Sequence, residues 1–79
     1  MYSYYRLIKD INVSYDDRTE SRAIAGEIFT YFRPIGDFHQ LCNQKGQSCM
    51  WAGWTFDKYL EPVIPHYSNM WEDICLNIA

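Results

Sequence analysis

The sequence predicts an α+β domain, a small antiparallel sheet (a long N-terminal strand plus a hairpin) packed by two or three helices. Three observations predict it. Apolar residues alternate with a period of two from Ser3 to Tyr15, then recur at helical spacing from Ile24 to Phe32. Further on, the polar stretch Asn43-Gln44-Lys45-Gly46-Gln47 separates two runs that can pair as strands. At 79 residues the chain, 1–79, is expected to be a single compact domain. A domain this short buries only about 60% of its unfolded surface, so its core is small.

The first strand places Tyr5, Leu7, Ile11, Val13 and Tyr15 on one face and Tyr2, Tyr4, Arg6, Ile8 and Asp10 on the other. It is long for a strand, so a bulge or bend is expected near Lys9 and Asp10. Asp17, with Glu20 three residues later, has the spacing of a capping box. From there Ile24, Ile28 and Phe32 form the stripe of an amphipathic helix, closed by Pro34 and Gly36. A strand over Glu27–Arg33 competes, because Ile, Phe, Thr and Tyr favour sheets. The regular stripe favours the helix.

Phe38–Cys42 and Ser48–Trp54 flank the turn as a hairpin, although Phe38–Asn43 could equally form one helical turn. Gly53, between Trp51 and Trp54, weakens a strand or marks a bulge. Thr55 can cap a short helix over Phe56–Leu60, ahead of Pro62, and Glu61–His66 is held extended or turned by two prolines. Ser68 can cap a last helix, Asn69 to Asn77, with Met70, Trp71, Ile74 and Cys75 on its apolar side. Phe29, Phe32, Leu7, Ile11, Val13, Tyr15 and Trp71 are the expected core.

Ten acids and seven bases give a net charge of −3, all of it in residues 34–79. A chain of this sign is repelled by phosphate backbones, so direct nucleic-acid binding is not expected. It suits a protein partner with a basic surface, although a small negative charge also simply aids solubility. The start Met-Tyr-Ser-Tyr-Tyr-Arg has no basic region followed by an apolar one, and the longest apolar runs are far below a membrane span. With three cysteines, this points to reduced thiols and a cytoplasmic setting.

No catalytic motif stands out. His39 and Cys42 have an H-x-x-C spacing, and Cys49, His66 and Cys75 add possible zinc donors. No C-x-x-C knuckle accompanies them, and Cys75 falls on an apolar stripe, so neither metal nor cofactor is expected. A zinc-stabilised interaction module remains as a second alternative. A Cys–His nucleophile would need a pocket, an orienting group and an oxyanion hole, none of which has a local signature. The chain is expected not to be an enzyme.

The aromatic content of 18% carries the most information. A core this small absorbs only part of 3 Trp, 7 Tyr and 4 Phe. Trp51 and Trp54, with Tyr2 and Tyr4, are the candidate anchors for a protein partner, because such rings supply contact area at low entropy cost. Asp57, Glu61, Asp37, Asp16 and Asp17 are the candidate sources of the negative field. The ordinary explanation is that the rings pack on one another or form a homodimer seam. In size, sign of charge and lack of catalytic motifs, though over no alignable segment, the chain resembles the small acidic anti-CRISPR proteins of phages and mobile elements. That resemblance implies a stoichiometric inhibitor occluding a basic nucleic-acid-binding surface of a host complex, within the host cell's cytoplasm. The first alternative is a homo-oligomeric structural or regulatory protein.

Overall fold

In the computed structural model, which describes residues 2–64, the N-terminal alternation forms two strands rather than one. They are β1 (Tyr4–Leu7) and β2 (Ile11–Ser14). The expected bend at Lys9 and Asp10 is where the chain leaves one sheet for another. The Ile8 N–H bonds the Tyr59 carbonyl at 2.9 Å, and the Asp10 carboxylate takes the Ala25 N–H at 2.8 Å. The period of two survives the break: Tyr5, Leu7, Val13 and Tyr15 are all buried.

Next come β3 (Glu20–Ala23), β4 (Ile28–Ile35), β5 (Phe38–Cys42), β6 (Ser48–Ala52), α1 (Gly53–Tyr59) and β7 (Leu60–Pro62). All pairings are antiparallel. Five strands form one sheet in the order β6-β5-β4-β1-β7, and β2 and β3 form a separate hairpin. Cross-strand partners share a face. The pairs Tyr5–Phe29, Leu7–Leu60, Tyr31–Leu41, Leu41–Cys49 and His39–Trp51 therefore define one inward face. On it Leu7, Phe29, Leu41 and Cys49 are completely enclosed. Phe56 of α1 closes over this face, edge-on to Tyr5 at 4.8 Å and stacked on His39 at 4.2 Å. The hairpin contributes Val13, Tyr15 and Ala23 to the same core.

The α+β expectation, with two or three packing helices, is overturned. The described residues are mostly β, with one seven-residue helix. The expected helix over residues 18–33 is β3, a turn and β4. Arg18 sits at φ 68° and Gly26 at φ 101°, left-handed conformations that no α-helix contains. The Glu27 N–H bonds the Ile24 carbonyl at 3.1 Å, closing a turn with Gly26 at its third position, where φ must be positive. Two of the three stripe residues are outside: Ile24 is exposed, and Phe32 is 63% exposed beside the register shift between Tyr31 and Arg33. Asp17 caps no helix; it accepts the Thr19 N–H at 3.0 Å in a tight turn. The strand that competed at Glu27–Arg33 is the one that forms, because β4 is flanked by both β1 and β5.

The hairpin across residues 43–47 is present, with Gly46 at φ 84°. The helix expected at Phe56–Leu60 starts earlier, at Gly53, and Ala52 rather than Thr55 is its N-cap, without a side-chain bond. Pro62 lies in β7, an edge strand, where its missing N–H leaves no gap in a ladder. The helix expected over 69–77, with Trp71, lies outside the described residues.

The two readings of residues 18–33 separate in a stability measurement. Phe29→Ala should lower unfolding stability by about 3–5 kcal/mol in urea melts, as for a large buried ring. Phe32→Ala should change it by less than about 1 kcal/mol. A helix buried along Ile24, Ile28 and Phe32 would make Phe32→Ala costly as well.

Candidate interaction surface

The alternation within β6 separates the two candidate tryptophans from each other. Cys49 and Trp51 point inward, while Met50 points out. Trp51 is only 4% exposed. Its ring stands edge-on to Phe29 at 5.8 Å, and its Nε1–H bonds the Cys49 sulfur at 3.1 Å. Both the ring and its polar handle are engaged in the core, so Trp51 is not an exposed anchor.

Trp54 is 72% exposed in the first turn of α1. Its position is fixed by backbone: the Gly53 N–H bonds the Asp37 carbonyl at 3.2 Å and pins the helix start to the β4–β5 turn. At that end of the sheet Ile35, Phe38 and Ala52 lie in one row on the outer face. Ile35 and Phe38 are exposed. Asp37 sits in the turn between them, and Asp57 follows Trp54 by three residues, on the same side of the helix. Lys58 holds its ammonium over the Tyr59 ring at 5.7 Å. Asp57 has no cation partner among the described residues.

The other candidates fall elsewhere. Tyr2 and Tyr4 are exposed near the opposite end. Tyr4 pairs with Thr30, and Thr30 with Cys42, so Tyr4 shares the outer face with Phe38. Glu61 is answered by Arg6 at 3.2 Å, a half-exposed ion pair of the kind worth about 0–1 kcal/mol. Asp16 and Asp17 tie the β2–β3 turn to the start of β6. The Asp16 N–H bonds the Ser48 carbonyl at 2.9 Å, and its carboxylate accepts the Ser48 hydroxyl. Asp17 accepts the Thr19 hydroxyl and N–H and the Gln47 amide. These bonds, the Thr19 hydroxyl first, hold its carboxyl below the usual range.

The possible zinc donors do not converge. In a strand, three-residue spacing puts side chains on opposite faces. His39 accordingly faces the core, with Nδ1 at 2.8 Å from the Tyr31 hydroxyl, while Cys42 faces outward. Burial pushes the Cys49 thiol up to about 11, against the lowering effect of the Trp51 bond. Its proton stays on, which opposes ligation. His66 and Cys75 lie outside the described residues. Among the described residues no three His, Cys, Asp or Glu groups gather as a metal site. No described helix is long and apolar enough to cross a membrane.

Phe38, Ile35 and Met50 were not singled out by the sequence and Phe32 was expected in the core, yet all four are exposed. For Phe38 and Met50 the signal was strand phase: each lies an odd number of residues from an inward Leu41 or Cys49. No protein-family model matches the chain, and neither a curated protein nor a solved structure is significantly similar to it.

The Cys49 site has a pH signature. Its folded pKa lies above the ordinary thiol value of 9.0, so its contribution is complete below pH 9 and fades as pH rises toward 11. The shift is worth roughly 2–3 kcal/mol at most. Chemical melts of the chain and of Cys49→Ala should therefore converge between pH 9 and pH 11. Parallel stability curves over that range would contradict the burial of this thiol.

Proposed function

We propose that this chain is a non-enzymatic protein-binding protein that docks on a basic surface of its partner through Trp54. One observation carries the reading: a 72% exposed indole opens α1 directly after Gly53, whose N–H bonds the Asp37 carbonyl, with Asp57 three residues on and exposed Ile35 and Phe38 flanking the turn that holds Asp37. A large ring on a pre-positioned support gains contact area with little loss of side-chain entropy, which is how a few aromatic residues come to dominate binding. The flanking carboxylates favour a cationic rim and speed encounter. The specific form we propose is inhibition, with the acidic end occupying a nucleic-acid-binding surface of a host complex, as anti-CRISPR proteins do. The charge of −3 supports that form. Trp51 has no place in the docking surface, and Glu61, paired with Arg6, adds little to the field.

A second reading has its own observation. The outer sheet face exposes Tyr4, Ile35, Phe38 and Met50, a surface that two copies could cover mutually as a homodimer.

Trp54→Ala should weaken a basic partner captured from cell lysate by about 2 kcal/mol or more while leaving the melting temperature unchanged. Asp57→Lys should mainly slow association and weaken its salt dependence. Identical captures by wild type and Trp54→Ala would overturn the reading. Light scattering across concentration decides the second one: a constant monomer mass removes the homodimer.

A further inference from the structure

The hydrogen-bond phases of the two sheets leave two strand edges facing each other unpaired. In the β5–β6 hairpin the Asn43 N–H bonds the Gln47 carbonyl at 3.0 Å, and at the far end Gly53 bonds Asp37 at 3.2 Å. Antiparallel bonding alternates, so Leu41–Cys49 and His39–Trp51 are the mutually bonded pairs. Ser48 and Met50 then turn both backbone groups away from β5, and Ala52 turns its N–H away. In the other hairpin the Tyr15 N–H bonds the Thr19 carbonyl at 2.8 Å, so Val13–Ser21 and Ile11–Ala23 are the bonded pairs. Asn12, Ser14 and Asp16 turn outward.

These two outward edges meet once, where the Asp16 N–H bonds the Ser48 carbonyl at 2.9 Å. Beyond that point they separate. Between them lies a cleft of about 170 Å³, lined on one side by Ile11, Val13 and Ser14 and on the other by Met50, Trp51 and Thr55. Buried Val13 and Trp51 make its floor apolar. Its walls present the N–H and C=O groups of Asn12, Ser14 and Met50, which bond no other described residue. Unpaired edges of this kind are templates for an added strand.

We propose that this cleft is a second docking site, distinct from Trp54, which takes an extended polypeptide segment bearing lysine or arginine by strand addition. Backbone pairing to Ser14 and Met50 supplies the hydrogen bonds, and alternate apolar side chains rest on Val13 and Trp51. Charge selects the occupant. No charged side chain lines the cleft; where its two edges meet, Asp16 bonds Ser48 through both its N–H and its carboxylate, which places a negative charge at that end. Residues 65–79 carry Glu72 and Asp73 and no Lys or Arg, so the chain's own end lacks the matching charge. A second copy brings a net −3 of the same sign.

The test is a titration of the full chain with an acetylated peptide carrying Val-Thr-Val-Thr-Val between paired lysines, followed by amide NMR and hydrogen exchange. In the free chain the Asn12, Ser14 and Met50 amides should exchange quickly. The peptide should shift and protect them, to the same extent in Trp54→Ala, which separates this site from the Trp54 surface. Replacing the peptide's lysines by glutamates, or N-methylating alternate residues of its core, should weaken binding by about tenfold or more. Met50→Pro, which removes one outward N–H, should do the same; if that variant fails to fold, the N-methylated peptide carries the test alone. The proposal is overturned if these amides are already protected in the free chain, with dilution then telling a second copy from the chain's own residues. It is equally overturned if the peptide leaves Ser14 and Met50 unmoved, or shifts only the surroundings of Trp54.

Discussion

The four residues of β1 hold the rest of the structure in place. β1 is paired on both sides, with β4 and with β7, so it joins residues 4–7 to residues 28–30 and to residues 60–62. Its inward side chains, Tyr5 and Leu7, are buried in the core, and each of its buried backbone groups needs a partner. These partners are far away in sequence, so the fold depends on non-local pairing that must form before most of the core is sealed. The same demand explains why residues 28–35 are a strand: a helix there would leave β1 and β5 without their shared neighbour.

Burial on one side of a five-stranded sheet decides which rings are available to a partner. Phe29, Trp51 and Phe56 are drawn inward together with Tyr5 and Tyr15. The opposite face is left with Tyr4 and Phe38, and the end of the sheet with Trp54. The aromatic surplus is therefore real, but it is distributed by strand phase and not by neighbourhood in sequence. Two tryptophans three residues apart serve different purposes because β6 ends between them and α1 begins. The carboxylates divide in the same way: Asp16 and Asp17 fasten a hairpin and Glu61 answers Arg6, whereas Asp37 and Asp57 remain uncommitted beside Trp54.

The parts of this arrangement legible in the sequence are those where local pattern and final structure coincide. The alternation of Tyr5, Leu7, Val13 and Tyr15 marks inward positions correctly on both sides of the break, and the turn at Asn43–Gln47 locates its hairpin. The misreading of residues 18–33 has a definite cause. Ile24, Ile28 and Phe32 match a helical period by coincidence, while the deciding features, a left-handed Arg18 and the pairing of β4 with two other strands, leave no periodic trace. Gly26 was the one local hint, since a glycine within a presumed helix is costly and within a turn is useful. The exposed site was half legible: Trp54, Asp37 and Asp57 were candidates, whereas Phe38 and Ile35 needed the sheet register to be seen.

The pairing of β1 with β7 also settles how the domain would bear load. The strands are antiparallel and the Val63 N–H bonds the Tyr4 carbonyl at 2.9 Å, so the first and last described residues leave from the same corner. Tension between them acts across the ladder, opening one bond at a time from Val63 inward. Such a seam peels where a sheared one would resist. Pulled at the first and last described residues, the sheet would open at that corner, shed β7 and leave β1 held by β4 alone.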